Sequence, residues 1–236
     1  MYQEQIEKIK IAYQNFFKDF DIDSQSGVLE KFPNYKFATM PYIGSNYFSA
    51  KKKILFIGLD IGKDEFPGKY QDLTERNSNI EHVTKFNPHI AGTYCTSLYL
   101  LKKEYDWENI WNTFSSYPSY SQATKIQHHK EGENPLSFVS LTNLHKFVTV
   151  ERKNRSGDSN RKFLNKEIEE SLLFKEIEIL NPEIVVFQGK LPSSYIIQKI
   201  KEINIKMIAA PHPSYRVKGG RNPRVYVEKF QEIPRP

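Results

Sequence analysis

Residues 54–65 read ILFIGLDIGKDE, an apolar run that stops at Gly58 and sets an acid, Asp60, just beyond it. Two more apolar runs end in polar residues. SFVSLTNL, residues 137–144, delivers Asn143, and IKMIAA, residues 205–210, leads into PHPSYR with His212 and Ser214. A carboxylate can steady a developing cation or orient water, and an imidazole can donate to a developing anion. A carboxamide donates and accepts at once, which suits the reading of a polar edge. Other residue types offer less. His128-His129 lack acidic or thiolate ligands at a convincing spacing, so no metal is expected. Cys95 stands in an apolar, helical neighbourhood and reads as inert packing. Gly58-x-x-x-Gly62 has the spacing of neither a P-loop nor a dinucleotide fingerprint, so a small-nucleotide site is the weaker reading.

The elements that must carry these residues follow from periodicity. Residues 53–58 form a continuous apolar run with β-branched residues, as expected of a strand buried on both faces. Residues 137–144, 183–188 (EIVVFQ, stopped by Gly189) and 205–210 read as three further strands. Helical spacing marks 3–20, through Ile6, Ile9, Tyr13, Phe16, Phe17 and Phe20, and 164–180, through Ile168, Leu172, Leu173, Ile177 and Leu180. The second of these ends at Asn181-Pro182. A helix over 192–203 opens on Pro192 and Ser193. Strand–helix alternation predicts parallel strands with right-handed crossovers. The expected fold is therefore α/β, three layers α-β-α around a central, mostly parallel four-stranded sheet. Ligands of such sheets gather beyond the carboxyl ends of the strands, which is where Asp60, Asn143 and His212 fall. Residues 66–136, with Trp107 and Trp111, read as an insertion of two or three helices, one near 93–104, within a single domain over 1–236.

Composition sets the bounds. Hydrophobic residues make up 39% of 236, enough for a real core. No stretch approaches the roughly 18–20 apolar residues that span a bilayer. The N-terminus is charged and amphipathic, unlike a signal peptide. A single cysteine excludes a disulfide framework or an iron–sulfur cluster and points to a reducing, cytoplasmic setting. The expected protein is a monomer with no cofactor and no membrane contact. Net charge is +6, and its distribution says more than its size. Between His145 and Lys166 seven Lys/Arg (Lys146, Arg152, Lys153, Arg155, Arg161, Lys162, Lys166) face Glu151 and Asp158. From Ile205 onward seven (Lys206, Arg216, Lys218, Arg221, Arg224, Lys229, Arg235) face Glu228 and Glu232. One basic run is ordinarily a solvated face. Two runs, each after a strand carrying a candidate residue, favour a polyanionic partner.

GLDIGKDE after an ILFIG strand, SLTNLHKF, LNPEIVVFQG and APHPSYR occur in the order that resembles the uracil-DNA glycosylase superfamily. The resemblance covers roughly residues 40–70 and 135–225. It implies that the chain is a monofunctional DNA glycosylase acting in base excision, with single- or double-stranded DNA as its partner. Asp60 would take the catalytic carboxylate role, Asn143 that of the base-reading amide and His212 that of the imidazole in the last motif. Ser214 and its loop would hold DNA phosphates. Two departures stand out. The proline expected after the acid is Ile61, and the tyrosine of one version of the motif is Gly62. Glycine leaves open the space in which that tyrosine crowds a pyrimidine's C5 position. The alternative substrate is thus a bulky 5-modified pyrimidine in foreign (phage) DNA. A non-catalytic DNA-binding member of the superfamily is a further alternative.

Hydrolysis of an N-glycosidic bond puts positive charge on the sugar and negative charge on the departing base. Asp60 suits the first, His212 the second, and Asn143 matches the edge of uracil. A base in duplex DNA must first be flipped out, at about a few kcal/mol. Phosphate contacts from Arg216, Lys218, Arg221 and Arg224, on a loop with Gly219-Gly220, would offset this, with Tyr215 or Arg216 as a wedge. Arg152, Lys153 and Arg155 are a second phosphate-binding candidate. Phe66 is placed to stack on the extruded base, or else packs in the core. His89, in NPHIAGT, opens a helix near the site and reads more readily as structural.

Overall fold

Three strands of five residues are buried along their whole length: Ile54–Gly58, Val139–Asn143 and Ile184–Gln188. Only a sheet covered on both faces buries every residue of a strand, and two helical layers do so here. The computed structural model describes residues 2–61, 70–81, 88–101, 134–150, 164–213 and 226–234. In chain order its elements are helix α1 (Tyr2–Asp19), strands β1 (Val28–Leu29), β2 (Phe32–Phe37), β3 (Tyr42–Ile43) and β4 (Ile54–Gly58), then helices α2 (Leu73–Glu81) and α3 (Pro88–Leu101). Strands β5 (Val139–Asn143) and β6 (Phe147–Thr149), helix α4 (Lys166–Leu180), strand β7 (Ile184–Gln188), helix α5 (Ser194–Glu202) and strands β8 (Lys206–Ala210) and β9 (Gln231–Ile233) follow.

The central sheet runs β3-β5-β4-β7-β8-β9. Strands β5, β4, β7 and β8 are parallel neighbours, and β3 and β9 close the edges antiparallel. The chain steps from β4 to β5 on one side, then returns past β4 to β7 on the other. That reversal makes the carboxyl end of β4 the topological switch point, where open α/β sheets leave a crevice. One face of the sheet (Leu55, Ile57, Val185, Phe187, Met207) packs with Ile9, Tyr13 and Phe16 of α1, Leu173 and Ile177 of α4, and Ile196 and Ile200 of α5. The other (Ile54, Phe56, Val139, Leu141, Ile184, Val186, Ile208) packs with Ile80 of α2 and with Ile90 and Tyr94 of α3. Each of these fully buried side chains contributes about 1.5–3 kcal/mol of burial free energy.

The sheet has six strands where the pattern predicts four. A separate three-stranded antiparallel sheet, β1-β2-β6, joins it through the segment after β5. The extra strands span two or three residues, too short to display an alternation, or, as in FPNYKF, mix proline and polar residues. Helix α3 starts at Pro88, earlier than residue 93, because proline suits the first helical turn. With α2, it supplies two helices within 66–136; residues 102–133 lie outside the described residues. Lys146 corrects the first basic run. Its side chain is 1% exposed and bound to Glu176, so it offers nothing to a partner. Among the described residues no helix is long and apolar enough to cross a membrane.

Candidate active site

The backbone beyond β4 is clamped on both sides of Asp60. The register of β4 with β5 ends at Gly58 opposite Asn143, and pairing continues past the strands. The Leu144 N–H donates to the Gly58 carbonyl at 2.8 Å, and the His145 N–H to the Leu59 carbonyl at 2.9 Å. On the other side Ile61 is buried with Ala38 and Val148. Asp60 is thereby fixed between a backbone ladder and an apolar anchor, with its Oδ2 shielded from solvent. Ile61, the departure from the expected proline, thus holds the turn through packing where proline would hold it through a fixed φ.

Residues in register on parallel strands share a face. Ile57 pairs with Phe187, so Gln188 stands beside Gly58 as Asn143 does on the opposite side. The row Asn143–Gly58–Gln188 lies under the first turns of α3. A Cβ on Gly58 would stand 3.1 Å from Asn143 Oδ1 and 3.5 Å from His89 Nε2. A side chain here would press on the Asn143 amide, which glycine avoids. One helical turn on, the Thr93 hydroxyl donates to the His89 carbonyl at 2.9 Å and accepts from Gln188 Nε2 at 3.0 Å. Two buried atoms of the row have no hydrogen-bond partner, Asn143 Nδ2 and Gln188 Oε1.

His212 follows β8 and is exposed. Its ring centroid is 5.2 Å from that of His89, with the planes tilted by 44°. A Cβ on Gly189, at the end of β7, would stand 3.4 Å from the Cβ of His212. The next residue, Pro213, approaches α3 so closely that a Cβ on Gly92 would fall 2.7 Å from both its carbonyl oxygen and its Cβ. The loop carrying His212 is therefore locked against helix and sheet together. His89 bridges the two halves of the site, touching the Gly58–Asn143 pair on one side and His212 on the other.

Of the residues singled out from the sequence, Asp60, Asn143 and His212 fall on one edge of the sheet. Gly62, Phe66, Arg152, Lys153, Ser214, Tyr215, Arg216, Lys218 and Arg221 lie outside the described residues. His89, which reads from the sequence more readily as structural, and Gln188 stand beside the residues on that edge. The signal for Gln188 was the one that marked Asn143, a polar residue closing an otherwise apolar strand. Among the described residues no group of three or more His, Cys, Asp or Glu side chains could hold a metal ion. A comparison with protein-family models and another with curated proteins give no match to this chain.

Proposed function

We propose that the chain is a monofunctional DNA glycosylase that hydrolyses the N-glycosidic bond of an extruded uracil or related pyrimidine. The observation that carries this reading is the single edge on which an acid, an amide and an imidazole gather. The β4–β5 ladder runs from the Gly58–Asn143 pair on to Leu59 and His145, next to Asp60, and His89 lies between Gly58 and His212. The three-layer fold with its four parallel central strands suits the superfamily that the motifs resemble, and the order of those motifs supports it.

In this reading the Asp60 carboxylate faces the sugar, stabilises the positive charge that grows there and orients the attacking water. Its rigid mounting matters, because preorganised charge has no reorganisation to undergo at the moment of reaction. His212, at the exposed rim, donates to the departing base as it becomes an anion. Asn143 reads the base: a buried amide donor left without a partner costs about 1–3 kcal/mol, and a base carbonyl would remove that penalty. The net charge of +6 favours approach to DNA.

The test is base release. Oligonucleotides carrying uracil, a thymine mismatch or a 5-modified cytosine are incubated with the protein, and abasic product is scored after alkaline cleavage. Release from one of them, slowed about 10²–10⁴-fold by Asp60→Asn, is the expected result. Release confined to the 5-modified base assigns the bulky-substrate alternative. Tight binding that leaves every base attached, unaltered by Asp60→Asn, overturns the catalytic reading in favour of a DNA-binding role.

A further inference from the structure

Two leftover hydrogen-bonding atoms on one row point to what the site reads. We propose that Gln188 is a second base-contacting residue, which together with Asn143 selects a neutral pyrimidine presenting a carbonyl and an N–H or amino donor. Asn143 is 5% exposed and Gln188 1%. Buried polar atoms are nearly always satisfied, and an orphan calls for an explanation. Here the orphans are complementary. The Thr93 hydroxyl donates its only proton to the His89 carbonyl, so its oxygen is left to accept. Gln188 must then present its NH2 to Thr93, which leaves Oε1 as the spare acceptor. Asn143 keeps a spare donor, Nδ2.

The two amides stand on either side of one strand. Adjacent strands lie about 4.8 Å apart, so the two residues on either side of Gly58 are roughly 9–10 Å apart at Cα. Between them stand a residue with no side chain and the imidazole of His89. The row therefore offers a donor amide, an imidazole and an acceptor amide in sequence at the carboxyl ends of the strands. A ring without an N–H or amino donor leaves Gln188 Oε1 buried and unsatisfied and is rejected for that reason, as sites built for a donor reject analogues that lack it. Uracil, through N3–H, and cytosine derivatives, through the exocyclic amine, both carry the required donor.

The inference depends on the glycosylase reading for its ligand class, so binding is measured apart from release. Fluorescence anisotropy, in the Asp60→Asn background, gives the affinity for single-stranded oligonucleotides bearing one uracil, one 5-hydroxymethylcytosine or one N3-methyluracil. The expected result is at least a tenfold preference for one of the donor-bearing bases over N3-methyluracil, and which of the two is preferred identifies the base. Gln188→Met keeps the side-chain volume, removes the acceptor and should abolish the preference. Thr93→Val, which removes the oxygen that orients the Gln188 amide, should weaken it. Circular dichroism verifies each fold, and Gln188→Val, suited to a strand, repeats the test should Gln188→Met not fold. Equal affinity for all three oligonucleotides, or a preference that survives loss of the acceptor, overturns the proposal. Intact bases in the release assay together with a Gln188-dependent preference would overturn only the catalytic reading.

Discussion

Gly58 has no side chain to contribute, yet the geometry of the site turns on it. A methyl group there would press on Asn143 Oδ1 at 3.1 Å and approach His89 Nε2 at 3.5 Å. Asn143 would have to give by a few tenths of an ångström while His89 stays at ordinary contact distance, a shift that a well-packed protein tolerates and a catalytic array does not. Gly58→Ala is therefore expected to lower base release about 10²-fold, since misplacement on the ångström scale has that effect. Its melting temperature should move by only a few degrees. Single-turnover release and a thermal melt on the same preparation check this; equal loss in both would mean that Gly58 serves folding alone. Asp60, Asn143 and His212 were legible as candidates because each ends or follows a buried strand, where chain order and chemistry coincide. His89 was not, because its place depends on α3 folding back over the sheet. That contact has no local signature in NPHIAGT.

At the scale of elements, a buried ionic cluster fixes β5 against two helices directly behind Asn143. Lys146 Nζ donates to Glu176 Oε2 at 2.7 Å and to Thr142 Oγ1 at 2.9 Å, and the Thr142 hydroxyl donates to Glu176 Oε2 at 2.9 Å. The Tyr13 hydroxyl donates to Glu176 Oε1 and ties in α1. Burial, and then the adjacent Glu176 charge, hold the Tyr13 phenol well above its ordinary range, so it stays a donor. Nearby, Glu169 accepts from the backbone N–H groups of Lys146 at 2.7 Å and Leu164 at 2.9 Å, linking the end of β5 to the start of α4. Removing one ion of a buried pair strands the other. Lys146→Met should thus destabilise the fold by about 3–5 kcal/mol, and Lys146→Met with Glu176→Leu should recover most of that. Urea unfolding of the two single variants and the double variant measures it; additive losses would show that the pair is not coupled. The stripe of α4 read from the sequence holds, since Leu172, Leu173, Ile177 and Leu180 are all buried. The same helix also buries Glu169, Glu170 and Glu176, which a hydrophobic pattern counts as solvent-facing. Likewise the four parallel strands were legible from their apolar runs. The edge strands β3 and β9 were not, because pairing to a neighbour, rather than composition, makes them strands.

At the scale of the whole molecule, the placement of charge decides what kind of partner is recruited and how strongly salt governs it. The two basic segments follow β5 and β8 in the chain, and in the DNA-binding reading they would draw a polyanion toward the strands that deliver Asn143 and His212. Not every cation in them takes part. Lys146 is consumed inside the protein, and Lys206 pairs with Glu232 across the β8–β9 edge at 2.6 Å. In the DNA-binding reading the candidates for phosphate contact are Arg152, Lys153, Arg155, Arg216, Lys218, Arg221 and Arg224. Each phosphate neutralised on single-stranded DNA contributes about 0.7 to the slope of log affinity against log salt. Replacing Arg152 and Lys153, or Arg216 and Lys218, by glutamine should flatten that slope by about 1 to 1.5 and weaken binding alike for all sequences. Asp60→Asn and Gln188→Met leave the cations in place, so the slope should be unchanged while release and base preference, respectively, are lost. Anisotropy titrations at several salt concentrations separate the two classes. If both basic substitutions left the slope untouched, the charge would belong to a solvated surface, and the energy for extruding a base would have to come from elsewhere.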